Sequence, residues 1–250
     1  MADIRSALGT NVGPMNYLLD RVRRDMEERM LKVENLPSSG LVIDFKNGDL
    51  QFDFLSDRKD DSLLESCPRL FPYLKSYETA STDLVVINLQ MAWLDFEALL
   101  KEAKRVLRPS GMLFFSTLGP DTLGELSYAW GKVDELAHVH PFVDMHFIGD
   151  TLVKLGMSKP IVDTDWLTVE YPNTEVLLDD LKQEGFANVL STRRKTLTGK
   201  TRFKMFKKSL WEMCGKSGVL PVSFEIVFGF AQVSENEFAV HVRPPELPEK

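Results

Sequence analysis

At 250 residues and 28.4 kDa, with 44% hydrophobic residues, the chain is long enough to bury one sizeable core. Two cysteines, Cys67 and Cys214, exclude a disulfide framework, and no uninterrupted apolar run approaches the roughly 20 residues of a membrane span. A net charge of −7 argues against general nucleic-acid binding, and with no arginine-rich or apolar leader the expected setting is a reducing cytoplasm, with no membrane and no nucleic-acid partner.

Residues 1–13 read as a loose terminus. From Met15 to Val33, apolar residues at Met15, Leu18, Leu19, Val22, Met26, Met30 and Leu31 alternate with charges at helical spacing, which predicts an amphipathic helix packed on a sheet. Pro37-Ser38-Ser39-Gly40 turns the chain into a first strand. Asn47-Gly48 then sits between alternating hydrophobics, the signature of a two-residue hairpin turn. Pairing about that turn sets Phe45 opposite Leu50, Ile43 opposite Phe52 and Leu41 opposite Phe54, one face wholly apolar. The competing reading of residues 41–54 is a strand followed by a glycine-poor loop. Asp57 to Thr82 reads as a solvated loop with one short helix.

The clearest organisation lies between Asp83 and Leu126. Leu84 to Ile87 and Met112 to Phe115 are short apolar runs of the kind found in strands buried on both faces. Between them Phe96, Leu99, Leu100, Ala103, Val106 and Leu107 fall on one helical face, with Asp95 placed to cap the first turn and Arg108-Pro109-Ser110-Gly111 to stop the helix. Strand, crossover helix and strand form a βαβ unit, so the two strands are expected to be parallel neighbours. Downstream, the spacing predicts helices over 122–131, 147–156, 175–184 and 201–214, and strands over 161–171, 222–231 and 238–242, the last two antiparallel. The Pro-rich end, 243–250, reads as disordered.

These residues also carry a resemblance. Asn88-Leu89, Trp93, Arg105 to Pro109, Phe115-Ser116-Thr117, Gly119 to Leu123 and Glu125-Leu126 resemble the malonyl-acyl-carrier-protein O-methyltransferase family of biotin synthesis. The likeness continues through Ala129-Trp130, His138 to Phe142, Asp144-Met145-His146, Ile148-Gly149-Asp150, Leu197-Thr198-Gly199, Pro221 and Glu225. A weaker likeness is to methyltransferase-like assembly factors of respiratory complex I. The resemblance implies an α/β fold of the class I methyltransferase (Rossmann-like) kind, with helices on both faces of the sheet and a helical cap, its N-terminal sheet edge altered if the hairpin forms. One domain is expected over 1–250: an N-terminal helix at 14–34, a core at 38–118, a helical cap with one core strand at 119–221, and closing strands at 222–243.

In that family the loop after the first strand is rich in glycine, because the backbone must approach the S-adenosyl-L-methionine (SAM) amino-acid moiety closely. Aligned on Val42 to Phe45, the expected glycines fall at Lys46, Gly48 and Leu50, and only Gly48 remains. The family then has a helix of several turns before a second strand, and the few residues between Gly48 and Asp53 leave no room for it. Two functions follow. One is a binding or regulatory homologue, a pseudoenzyme with lost or altered SAM binding and no cofactor. The other is an active SAM-dependent enzyme that methylates a malonyl-thioester carboxylate in biotin synthesis, with cofactor contacts rebuilt from Asp44, Gly48, Asp53 and Asn88.

No nucleophile-and-base set stands out, and methyl transfer to a carboxylate needs none, since the enzyme mainly aligns two reactive groups and excludes water. The resemblance places Trp93, His140 and His146 along the substrate. His138, His140 and His146 with Asp144 are ligand types that metals accept, yet their spacing matches no recognised metal motif, and no metal is expected. From Arg193 to Lys208 there are eight basic residues and no acid, and the remaining 22 basic against 37 acidic residues leave −15 elsewhere. Arg193, Arg194, Lys195, Lys200 and Arg202 are thus candidates for docking an acidic acyl carrier protein, the alternative being a solvated helix face.

Overall fold

The computed structural model describes residues 14–43, 70–183, 196–214 and 218–235, together with residues 186, 188, 190 and 193. The first helix, α1 (Pro14–Met30), buries Leu18, Val22, Met26 and Met30 at four-residue intervals, each 0–1% exposed. Its charged face is anchored too. Arg21 pairs with the buried Asp25 at 2.7 Å, and Arg29 lies 3.8 Å above the Phe228 ring while reaching Asp163 at 3.0 Å. The hydrogen bond to Asp25 raises the pKa of the Arg21 guanidinium.

Five strands form one sheet: β1 (Leu41–Ile43), β2 (Thr82–Ile87), β3 (Leu107–Leu118), β4 (Met157–Tyr171) and β5 (Leu220–Val233), in the order β1-β2-β3-β5-β4. β1 pairs with β2 and β2 with β3 in parallel, whereas β5 runs antiparallel to both β3 and β4. The βαβ unit expected around Asp95 is present. Its helix, α3 (Phe96–Val106), is capped by Asp95, whose side chain accepts from the Ala98 amide at 3.1 Å, and Phe96, Leu99, Leu100, Ala103 and Val106 are buried.

Helices cover both faces, which is why β2 and the second half of β3 read as continuous apolar runs. Leu84, Val86 and Phe114 point to the side of α1, α4 (Gly124–Gly131), α6 (Thr174–Gln183) and α7 (Lys200–Trp211). Val85, Ile87, Leu113 and Phe115 point to the side of α2 (Leu70–Ser76), α3 and α5 (Met145–Lys154). A close approach explains Gly229, because a Cβ there would fall 2.0 Å from the Phe115 ring opposite it.

The RVLRP segment acts as a fastener. Arg105 donates to the carbonyls of Leu74 (2.9 Å) and Tyr77 (3.0 Å) and pairs with Glu102, tying the end of α2 to α3, while Arg108 reaches Asp83 at 2.6 Å. The helices expected from pattern occur with ends shifted by at most three residues. β4 begins at Met157, four residues before the expected Ile161, and the partners of β5 are β3 and β4. The hairpin expected about Asn47-Gly48 and the strand expected over 238–242 lie outside the described residues, though Leu41–Ile43 itself pairs in parallel with β2. Among the described residues no helix is long and apolar enough to cross a membrane.

Candidate functional site

In open sheets of this kind ligands lie beyond the carboxyl ends of the parallel strands, here β1, β2 and β3. The chain leaves β2 through Asn88 and Leu89. The Asn88 amide donates to the Ile43 carbonyl at 2.8 Å, continuing the β1–β2 ladder by one residue. Leu89 then adopts a left-handed backbone (φ 54°), and its amide is shared between the Ser116 carbonyl and the Ser116 hydroxyl oxygen, both at 3.0 Å. The Ser116 hydroxyl donates to the Asn88 carboxamide oxygen. Asn88 and Ser116, 2% and 0% exposed, thus lock the ends of β2 and β3 together and aim the following 3-10 turn (Gln90–Trp93) across the strand ends.

A second polar lock holds the loop after β3. Gly119 donates to the Glu225 carbonyl at 2.8 Å, the Asp121 amide to the Glu225 carboxylate at 3.0 Å, and the Thr122 hydroxyl to the Glu225 carbonyl at 3.1 Å. Glu125 accepts from the Ser223 hydroxyl at 2.6 Å. A Cβ on Gly119 would lie 2.2 Å from the Glu225 carboxyl carbon, so the glycine is demanded by the fit. The GPDTLGEL segment is therefore a clamp between β3, α4 and β5, and it orients the cap.

In the cap, Trp130 on α4 is stacked between His138 (3.9 Å, 5°) and Phe206 on α7 (4.1 Å, 12°). His138 Nε2 is 2.7 Å from the Asp134 carboxylate, and this hydrogen bond is the leading cause that lowers the Asp134 pKa. His140 is half-buried, edge-on to Phe142 with centroids 5.5 Å apart, and burial lowers its pKa against the opposing effect of a hydrogen bond to the Ala92 backbone. His146 sits at the start of α5, its side chain 84% exposed and 2.9 Å from Asp144, the residue that caps that helix. Hydrogen bonds from the His146 backbone and ring lower the Asp144 pKa.

The structure thus brings Asn88 and His140 to the region of the β2 exit and leaves His146 on the outer surface. Trp93 ends the 3-10 turn, its side chain outside those described; Asp44, Gly48, Asp53, Arg194 and Lys195 also lie outside the described residues. Arg193, Lys200, Arg202, Lys204 and Lys208 are exposed, and Lys207 pairs with Glu175 on α6. Among the described residues no three His, Cys, Asp or Glu side chains converge as a metal ion would require. Ser116, Thr122 and Glu225 are the residues that the sequence placed in motifs without a role. Their signal was a run of small and polar residues, Ser116-Thr117 and Gly119 to Thr122, directly after a strand buried on both faces.

A parallel β1–β2–β3 core, an antiparallel β5–β4 pair and helices on both faces define a class I methyltransferase-like fold. Solved structures agree: the YcgJ protein of Bacillus subtilis matches with a TM-score of 0.51 over 85% of this chain and 99% of that one, at 13% identity. A protein of Bacillus halodurans C-125 described as a candidate methyltransferase matches with a TM-score of 0.52, covering 83% and 98%, at 11% identity. A family model described as "Methyltransferase domain" matches residues 66–115.

In sequence the chain resembles the malonyl-[acyl-carrier protein] O-methyltransferases. It is 41% identical over 157 residues to malonyl-[acyl-carrier protein] O-methyltransferase 1 of Coxiella burnetii, covering 62% of this chain and 55% of that protein. It is also 41% identical over 152 residues to the malonyl-[acyl-carrier protein] O-methyltransferase of Gallionella capsiferriformans, covering 60% and 52%. The chain spans about half the length of the curated relatives it matches.

Proposed function

We propose that this chain is a binding homologue of the malonyl-[acyl-carrier protein] O-methyltransferases, one that keeps the substrate-holding half of their site and has an altered cofactor half. The observation that carries this reading is the connection from β1 to β2. It retains Gly48 alone of the three glycines expected there. Backbone that cannot come close to the amino-acid end of SAM binds it weakly, whatever the rest of the fold preserves. The substrate side is supported by the intact locks at Asn88–Ser116 and Gly119–Glu225, which position the cap. A reducing cytoplasm is the compartment this reading implies.

The second reading is an active enzyme that methylates the carboxylate of a malonyl thioester in biotin synthesis, favoured by the 41% identity to proteins of that name. SAM would then supply an activated methyl group. On this chain's side, Asp44, Gly48, Asp53 and Asn88 would form the contacts, with Asn88 held in place by the hydrogen bond that its carboxamide oxygen accepts from Ser116. In either case the exposed Arg193, Lys200 and Arg202, continued by Arg194 and Lys195, would dock an acidic acyl carrier protein. The readings separate in a transfer assay with methyl-labelled SAM and a malonyl-carrier protein. The binding homologue forms a complex with the carrier and no labelled ester. Labelled ester in amounts that grow with protein concentration would replace it with the enzyme reading.

A further inference from the structure

Strand β4 (Met157–Tyr171) closes the sheet at one end, and among the described residues β5 is the strand it pairs with. An edge strand of 15 residues leaves a row of amides and carbonyls open to pairing, which natural edges avoid by being short or irregular. β4 is irregular at its start alone: its register to β5 shifts between Ser158 and Ile161 and then runs unbroken from Ile161 to Tyr171. That stretch carries two large exposed apolar side chains, Ile161 (60% exposed) and Trp166 (53%). The direction of its backbone groups follows from β5. Glu225, opposite Trp166, donates to Thr122 and accepts from Gly119 through its backbone, and Ser223, opposite Thr168, donates to Glu125 and accepts from Leu123. Both turn their backbone groups away from β4, so Trp166 and Thr168 turn theirs to the open edge. The Trp166 amide accordingly donates to the adjoining Asp165 carboxylate, at 2.9 Å.

The occupant that the strand itself specifies is a second copy. A two-fold axis perpendicular to the sheet keeps every side chain on its own face, so the axis of an antiparallel pair passes through one residue. Residues 161–171 are centred on Trp166, and an axis there pairs the whole stretch. It sets Trp166 against Trp166 and Thr164 against Thr168, with Asp165 opposite Leu167 and Asp163 opposite Val169. Aromatic and threonine pairs stabilise such a ladder, and no like charges lie directly opposite. An axis at Asp165 would set that carboxylate against itself, and one at Thr164 would set Asp163 against Asp165. An axis at Leu167 or beyond pairs fewer residues and leaves Ile161 out. Length and charge thus select the same register.

We propose that two copies of this chain pair antiparallel along β4 with Trp166 on the two-fold axis, joining two five-stranded sheets into one. The Trp166 carbonyl of the second copy then replaces Asp165 as the acceptor for the Trp166 amide. Because Trp166 lies opposite Glu225, the axis stands one strand away from the clamp that holds Gly119 and Asp121.

Sedimentation velocity of the full chain from about 1 to about 100 μM tests it, the range in which interfaces of modest size assemble. The wild type should pass from 28.4 kDa to twice that mass. Thr168→Pro removes an outward amide and leaves the β5 side of the strand intact, so it should fold and remain a monomer. Trp166→Lys puts two like charges on the axis and should do the same. Oxidation in a Cys67→Ser background, where the remaining Cys214 is buried, reads the register. Trp166→Cys should cross-link to its own copy, and Glu170→Cys should not, being about eight residues from its copy along the ladder. A wild type with the mass of one chain throughout overturns the proposal and leaves Asp163 and Asp165 as guards of the edge. A dimer that survives both Thr168→Pro and Trp166→Lys, or that Glu170→Cys cross-links and Trp166→Cys does not, overturns it by placing the contact elsewhere. Should Thr168→Pro not fold, Trp166→Lys decides, since it changes an exposed side chain.

Discussion

Ser116 carries more of the site than any single residue that sequence pattern singles out. Its hydroxyl accepts from the Leu89 amide and donates to Asn88 in a fully buried setting, so Ser116→Ala removes two buried hydrogen bonds, the Leu89 amide keeping the one to the Ser116 carbonyl. A loss of about 1–3 kcal/mol in unfolding free energy is expected by urea titration. Asn88 was visible in the sequence as the residue after a buried strand, but its engagement by Ser116 was not, because that contact depends on β2–β3 register. His140 makes a pH prediction. Burial lowers its pKa below the ordinary 6.5, so the unfolded chain binds this proton more readily than the folded one. Its contribution to stability is therefore fully present above about pH 6.5 and is lost as pH falls through the lowered value. Thermal midpoints measured across that range should fall more steeply for the wild type than for His140→Asn.

At the level of elements, legibility followed burial. Helix α3 and strands β2 and β3 were readable because one apolar face, or two, leaves a periodic mark, and because Asp95 punctuates the start. Asp95→Ala should cost about 1 kcal/mol in chemical denaturation, since the Ala98 amide would lose its acceptor at an exposed helix end. The start of β4 was not readable. Ser158, Lys159 and Pro160 carry no apolar alternation, the ladder to β5 shifts register between Ser158 and Ile161, and the strand lies at the sheet edge. The cap helices were legible as helices, yet the stack of His138, Trp130 and Phe206 that joins α4 to α7 was not, for it unites residues up to 76 positions apart.

For the whole molecule, two features of the sequence bear on function: a methyltransferase-like sheet and an uneven charge. Arg193, Lys200, Arg202, Lys204 and Lys208 are exposed on a chain otherwise at −15. If they dock an acidic carrier protein, affinity should drop as salt shortens the Debye length from ~10 Å at 0.1 M to ~3 Å at 1 M. Reversal of Lys200 and Arg202 to glutamate should slow association in surface plasmon resonance while the thermal midpoint holds, and unchanged kinetics would leave a solvated helix face. Central to the proposed function is an altered cofactor half, an expectation raised by the single glycine, Gly48, that remains of the three the resemblance calls for. Titration calorimetry of the full chain with SAM tests it most directly. The account predicts no saturable heat at micromolar concentrations, and a one-to-one isotherm with micromolar affinity would contradict it.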